Sequence, residues 1–547
     1  MKKYTVGIDF GTLSGRAVLM DVDSGEIAAT AVSEYKHGVI DRELPSGKAL
    51  PSKTALQDAS DYVDVLTETV RAVVSDAKID ACQIVGVGVD FTGCTVVPVD
   101  ESITPLMFDE RYKDEPHAYV KLWKHNSATR EGDEINRLAA ERGEPWLDAH
   151  GGKTSADWMF AKILQIQREA PDIYDSTYMF LNSADWVTYL LTGKITHSVN
   201  FAEAKELWSA EQGFPSPEFF ESLCPEMKDI IGTKIPDNMV RISEAAGYVN
   251  EEGARLTGLP AGIPVATPVL DAHASMPALG LTESGTLMMI LGTSGVQLVH
   301  SEEKKNVKGI FGYVTGGIMD GLYTYEACQA CCGDHLDWYI KNCLPASYTE
   351  AAKEQGMNIH KYLREKAKKL RVGENKLLYL DWQNGNRCIL SDLDLTGALF
   401  GLTLQTRPEE IYRAMIEGVA FGSKVMMDNF EAHGIAVKKI VASGGIAEKD
   451  EMFMQICADV LGREITVSEV RMSASKGSAM YAAVAAGVYK SINEASEILG
   501  VRDGKTYTPV PENVTAYKKL YEEYLKLHEY FGRGGNDILK RLKNICD

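Results

Sequence analysis

The sequence predicts an α/β protein built as two related domains facing a shared cleft. The chain has 547 residues, too many for one ordinary hydrophobic core. A strand–turn–strand layout occurs twice, around Gly11-Thr12-Leu13-Ser14-Gly15 and again around Gly292-Thr293-Ser294-Gly295, as an internal repeat would produce. Residues 438–469, KKIVASGGIAEKDEMFMQICADVLGREITVSE, read as strand, Gly-Gly turn, helix and strand. That is the βαβ unit in which a ligand sits at the carboxyl end of the first strand.

Taken in order, residues 3–33 read as a β-meander: YTVGIDF, a GTLSG turn, RAVLMDV, a DSGE turn and EIAATAVSEY. Asp21-Val22-Asp23-Ser24-Gly25 opens like a calcium loop but lacks the Asn or Asp before its glycine, so a hairpin turn is expected. Apolar positions at Ala59, Val63, Leu66, Val70, Val73 and Val74 have helical spacing and predict a helix over 55–78. QIVGVGVDFTG predicts a buried strand reaching a sharp turn at Gly93; its glycines do not fit GxGxxG, because Phe91 takes the third position. From about 110 to 260 the chain is more polar, with helical patterns such as TSADWMFAKILQIQREA. Gly151-Gly152-Lys153-Thr154 is not a phosphate loop, since Leu147 stands where its first glycine must be.

The run VATPVL ends on Asp271, an acidic side chain at the mouth of a sheet. Two readings of it stand: a helix N-cap, or a proton acceptor for chemistry on a hydroxyl. The Gly292–Gly295 turn likewise reads as a plain hairpin or as a phosphate cradle. Asp392-Leu393-Asp394-Leu395-Thr396 matches a DxDxT phosphatase nucleophile pattern, but it lies in a polar stretch and does not follow a core strand. A helix is expected from about Arg407 to Ala432, and Tyr517, Leu520, Tyr521, Tyr524, Leu527 and Phe531 predict a C-terminal helix that packs as core.

A formal net charge of -20 and a pI near 5.1 argue against a nucleic-acid partner, which would require a basic face. Any anionic ligand must then be held by backbone N–H groups and a few placed Lys or Arg. MKKYTVGIDFG meets Asp9 before a signal-peptide core could form, and AMYAAVAAGVY at 479–489 is too short to cross a bilayer. A cytoplasmic protein without a membrane partner is expected. Ten cysteines are scattered apart from Cys328, Cys331 and Cys332; without a second Cys or His pair at finger spacing they read as buried free thiols, not a zinc site.

The Asp-x-Gly-Thr hairpin at 9–12, the Gly-Thr-Ser turn at 292–294 and the strand-Gly-Gly-helix unit at 440–461 together resemble the actin, hexokinase and heat-shock chaperone superfamily of ATP-binding folds. Asp271 before the second hairpin, with NR…GALFGLTL and SGGIAEKDEMFMQICADVLG, resembles the FGGY carbohydrate kinases over nearly the whole chain. VDFTGCTVVPVD, KLWKHNSA, GGKTSADWMFAKILQIQREAPDIY and AKELW are similar to the ribulokinase branch of that family.

The resemblance implies two ribonuclease-H-like domains, 1–283 for the sugar, the first phosphate hairpin and the catalytic Asp, and 284–547 for the nucleotide, ending in a helical tail. It implies ATP and Mg2+ as cofactors and L-ribulose as acceptor, phosphorylated at its C5 hydroxyl with Asp271 as general base. Asp9 would sit near the magnesium through water. Thr12, Ser14 and Arg16 would meet phosphates on one side, and Gly292, Thr293 and Ser294 on the other. Gly333, Gly444, Gly445 and Lys449 would frame the nucleotide, while Gly93, Lys205 and Glu326 would hold the sugar. By the residues alone, Lys205 and Glu326 read as surface charges, Arg16 as a solvated hairpin residue and Gly444-Gly445 as a tight turn. EACQACCGDH places Cys328 and Ala330 where the family pattern has smaller or more polar residues. A xylulokinase-like sugar or polyol kinase and an actin- or chaperone-like ATPase are the alternatives; a homodimer is compatible with the resemblance.

Overall fold

The computed structural model describes residues 2–542. Met1 and residues 543–547, which fall inside the expected domain bounds and include Cys546, lie outside the described residues. The chain divides into two compact units. The first comprises Met1–Thr282, Tyr313–Thr324 and Val470–Arg502, and the second Glu283–Gly312, Tyr325–Glu469 and Asp503–Asp547.

In the first unit, β1 (Tyr4–Phe10), β2 (Ser14–Asp21) and β3 (Ile27–Glu34) form the antiparallel meander. The β2–β3 turn is closed by Asp21, whose Oδ1 accepts the Asp23 and Ser24 N–H groups, which is hairpin chemistry. The strand β4 (Ile84–Phe91) pairs with β1 in parallel. With β5 (Ala245–Tyr248), β6 (Pro264–Ala266) and β7 (Val269–Leu270), the sheet runs β5-β6-β4-β1-β2-β3, and β7 pairs with the end of β4. The helix expected over 55–78 is Ala59–Asp76, started by the Asp58 side chain accepting the Ser60 N–H.

The helix Ser473–Ala485 lies directly on this sheet, and glycines permit the approach. A Cβ on Gly7 would stand 1.8 Å from Ser475 O, and one on Gly88 would stand 2.1 Å from Ser478 O. The glycines of VGVGVDF therefore serve helix–strand packing. Gly477 of the same helix packs on the helix Asp271–Ala278, where its Cβ would fall 1.7 Å from Ala274 O. Asp271 is thus carried on an element that cannot drift from the sheet.

The second unit repeats the plan. Here β8 (Thr286–Leu291) and β9 (Gly295–Ser301) form the antiparallel hairpin, and β8 pairs in parallel with β11 (Lys439–Ser443), β10 being Tyr323–Gln329. With β12 (Ile465–Ser468) and β13 (Gly504–Tyr507) the order is β10-β9-β8-β11-β12-β13. In both units a hairpin's first strand lies parallel to the next strand inward, followed by another parallel strand and an antiparallel edge. The expected βαβ unit is present, its helical part divided into Gly445–Lys449 and Glu451–Leu461.

Two long helices close the second core. Pro408–Ala432 begins one residue after its Arg407 N-cap, and Pro511–Gly532 buries Tyr517, Tyr521 and Tyr524. They are tied by a buried network in which Arg413 Nε meets Glu417 Oε1 at 2.8 Å and Arg413 Nη2 donates to Tyr517 Oη at 3.0 Å. Residues 392–396 follow no core strand; the nearest, Leu378–Leu380, ends well before them. Cys328, Cys331 and Cys332 are buried and in no disulfide. Among the described residues no helix is long and apolar enough to cross a membrane.

Candidate active site

Three aspartates stand at the carboxyl ends of adjacent strands of the first sheet. Parallel register sets Asp9 of β1 beside Asp90 of β4, and Val269 and Leu270 of β7 beside Asp90 and Phe91. Asp271 is the next residue. This is the edge at which ligands of parallel sheets bind. The pair Asp9-Phe10 is echoed by Asp90-Phe91, whose rings stack at 4.9 Å. That echo is the sequence signal by which Asp90, absent from the expected site, could have been found.

The carboxylates are not equivalent. Asp9 is 6% exposed and Asp90 fully buried. Burial raises Asp9 above the usual carboxylate range, and the Arg16 guanidinium, 3.3 Å away, opposes the rise. Asp90 is pushed up well beyond it, first by burial and then by the charge of Asp9, although the Ser478 hydroxyl donates to its Oδ2 at 2.6 Å. Like charges this close cannot both ionise cheaply, so Asp90 is the carboxyl that keeps its proton. Its Oδ1 has no hydrogen-bond partner.

Asp271 is half-buried. It is not the N-cap, which is Leu270; Asp271 is the first residue of the helix, and its Oδ1 accepts the Ala272 N–H at 2.7 Å. Asn200 holds it in place from the side: its Oδ1 accepts the Leu270 N–H at 2.9 Å, and its Nδ2 meets His273 Nδ1 at 2.9 Å. Asn200 lies on the helix Val199–Lys205, so one amide fixes the acid-bearing turn against the helix that carries Lys205.

Lys205 is not a surface charge. It is 7% exposed, with Nζ 5.5 Å from the centroid of the Trp158 ring. Its helix end is held by Glu206, whose carboxylate receives Asn182 Nδ2 at 2.5 Å and meets His197 Nε2 at 2.6 Å. Lys205 O accepts from Cys94 Sγ at 3.8 Å, and a Cβ on Gly93 would stand 2.7 Å from Leu270 Cδ2. The Gly93–Cys94 turn therefore packs against Leu270, which precedes Asp271, and against the backbone of Lys205.

The first hairpin turn is braced by side chains. Gly11 N–H bonds Ser14 O at 3.1 Å. Trp123 Nε1 donates to Thr12 Oγ1 at 3.0 Å, and Gln57 Nε2 to Thr12 O at 2.8 Å. Arg16 Nη2 reaches Ser14 Oγ at 3.1 Å while Nη1 faces Asp9, so Arg16 is a paired residue and not a solvated one. Neither Trp123 nor Gln57 was indicated by sequence reasoning.

The second turn is braced by main chain. Gly292 N–H bonds Ser294 O at 3.0 Å, Cys332 N–H bonds Thr293 O at 2.8 Å and Gly333 N–H bonds Gly292 O at 2.9 Å. A Cβ on Gly333 would stand 2.8 Å from Gly292 O, and one on Gly444, at φ +98°, would stand 2.6 Å from Leu291 O. Gly292–Ser294, Gly333 and Gly444 thus converge at the carboxyl ends of β8 and β11. Gly445 is exposed with open space where a Cβ would go, and Lys449 is exposed one helical turn on. Glu326 is half-buried on β10, its backbone carbonyl accepting the Phe311 N–H at 2.9 Å.

Two Gly–Thr turns, each at the carboxyl edge of its own sheet, and an acid on a turn tied by Asn200 to the helix of a buried lysine suit a phosphoryl-transfer enzyme. Comparison with known proteins decides the family. Residues 4–278 match the N-terminal domain, and residues 287–486 the C-terminal domain, of the FGGY family of carbohydrate kinases. The chain belongs to that family. A ribulokinase from Bacillus licheniformis is 46% identical over 538 residues, covering 97% of each chain. One from Halalkalibacterium halodurans is 46% identical, covering 99% of this chain and 97% of its own. The fold of this carbohydrate kinase also matches the crystal structure of a xylulose kinase from Rhodospirillum rubrum, with a TM-score of 0.77 at 23% identity over 97% of this chain and 99% of the other. The α/β fold with a repeated sheet plan, expected from sequence, is the one found.

Proposed function

We propose that this carbohydrate kinase transfers the γ-phosphoryl group of ATP to the C5 hydroxyl of L-ribulose. The observation that carries the reading is the packing of the Gly93–Cys94 turn against Lys205 and against Leu270, the neighbour of Asp271, in a family member whose relatives are ribulokinases over nearly their full length. Asp271 accepts the hydroxyl proton as that oxygen bonds to the γ-phosphorus and the bond to the β,γ-bridging oxygen breaks, releasing ADP. Gly93 through its backbone, Lys205 and Glu326 hold the sugar's oxygens. Thr12, Ser14 and Arg16 meet phosphate oxygens from one turn, Gly292, Thr293 and Ser294 from the other. Gly333, Gly444, Gly445 and Lys449 frame the nucleotide. In this reading residues 1–283 serve the sugar and the acid chemistry, and 284–547 the nucleotide.

Magnesium fits the first unit in chemistry. Asp9 offers hard carboxylate oxygens, and the buried Asp90 Oδ1, which carries the retained proton and has no protein hydrogen-bond partner, can donate to a water of the ion's shell. Among the described residues no group of three or more His, Cys, Asp or Glu is placed to hold an ion. Asp9 would hold magnesium through water, the remaining ligands being water and phosphate. Bound there, the ion would neutralise charge on the transferring phosphates.

Coupled ADP release across L-ribulose, D-xylulose and glycerol, with Asp271→Asn alongside, tests the proposal. L-Ribulose should give the highest kcat/KM, and Asp271→Asn should lower it by about 100- to 10,000-fold, the range of a general base. Sugar-independent ATP turnover that Asp271→Asn leaves intact would overturn the kinase reading. Better turnover of D-xylulose or glycerol would remove only the substrate.

A further inference from the structure

We propose that Lys162 is a positioning residue of the sugar site, clamping the Gly93–Cys94 turn to the 122–123 segment that braces the first phosphate turn. The proposal rests on the assignment of Gly93 and Lys205 to the sugar.

Lys162 lies on the helix Met159–Glu169 and is 0% exposed. Its Nζ donates to Cys94 O at 2.5 Å and to Leu122 O at 3.0 Å. Packing alone would be served by an apolar side chain of similar length, without the desolvation of an ammonium. The arrangement also burdens its neighbour: burial first, and then the charge of Lys162, bring Lys121 down to about 7. A lysine kept here against those costs is kept for what its donors hold.

What they hold is specific. Cys94 sits at φ +61°, a left-handed conformation that side-chain-bearing residues adopt rarely. Fixing its carbonyl anchors this left-handed residue, to which the Gly93 peptide is directly bonded. Cys94 Sγ in turn reaches Lys205 O at 3.8 Å. On the other side, Leu122 precedes Trp123, whose Nε1 donates to Thr12 Oγ1 at 3.0 Å. One ammonium therefore joins the sugar turn directly, and the phosphate turn through one further residue.

The test is steady-state kinetics of Lys162→Met beside the wild-type enzyme, with the folded fraction measured by thermal melting. Loss of the two donors should raise the KM for L-ribulose about tenfold, with the KM for ATP rising less than about threefold and kcat falling less than about threefold. A residue that only supports the fold would lower the active fraction, and with it the apparent kcat, leaving both KM values unchanged. A sugar KM within about twofold of wild type overturns the proposal. Should Lys162→Met not fold, Lys162→Arg takes its place: its planar fork cannot keep both contacts where a single ammonium makes them, so the sugar KM should still rise at least about threefold, and an unchanged KM overturns the proposal. Wild-type enzyme that fails to phosphorylate the sugar would count against the proposed function and not against Lys162, so the two failures are distinct.

Discussion

The two Gly–Thr turns of this kinase follow one plan and are braced by opposite means. The first, at Gly11–Ser14, is held by side chains: Trp123 and Gln57 on Thr12, and Arg16 on Ser14 and Asp9. The second, at Gly292–Ser294, is held by the N–H groups of Cys332 and Gly333 and by the close approach of Gly444 to Leu291. Repetition of a fold therefore does not repeat its weak points. The first turn should fail when polar side chains are removed, the second when side chains are added.

The largest effect should come from adding one. Gly444→Val forces a β-branched residue to φ +98° with its Cβ 2.6 Å from Leu291 O. The strain should cost about 1–3 kcal/mol of stability, and the KM for ATP should rise more than about tenfold while the sugar KM stays near wild type. A variant with normal melting temperature and ATP KM would break the comparison on the second side. Next is Arg16→Met, which removes the counter-charge of Asp9 and the brace of Ser14 together; kcat/KM for ATP should fall about tenfold. Smaller still is Trp123→Phe, which deletes one neutral donor to Thr12 and should raise the ATP KM about fivefold. An effect on the sugar KM alone would show that Trp123 serves the sugar and not the phosphate turn.

Much of this was legible because the signals are local and periodic. The meander, the helix Pro408–Ala432 and the βαβ unit announce themselves through alternation, helical spacing and turn residues within a few positions of one another. The recurrence of the Gly–Thr turn announced the duplication. Asp271 was visible as an acid at a strand end, but nothing local distinguishes a helix N-cap from a first helical residue whose neighbour Leu270 takes the cap. Lys205 read as solvent-exposed because its burial depends on Trp158, 47 positions earlier in the chain. The braces were illegible for the same reason. Trp123, Gln57, Asn200 and Lys162 each reach partners 40 to 111 positions away, and a single sequence carries no mark of such pairings.

The smallest effect concerns stability and again separates the first unit's reliance on buried carboxylates from the main-chain solution in the second. Glu203, on the helix that carries Asn200 and Lys205, accepts the Thr315 N–H at 2.7 Å and is pushed up to about 7 by burial. Its unfolded value is near 4.5. Between those values the folded chain holds a proton that the unfolded chain has released, so stability is highest below the lower value, falls as pH rises through the window and levels off above the upper one. Glu203→Gln removes that titration while keeping an acceptor for Thr315. Its melting temperature relative to wild type should therefore rise from pH 5 to about pH 7 and level off towards pH 8, with the ATP KM unchanged. Parallel melting curves across that range would mean that Glu203 is ionised throughout, and that the first unit bears a buried charge on this helix without the proton that burial favours.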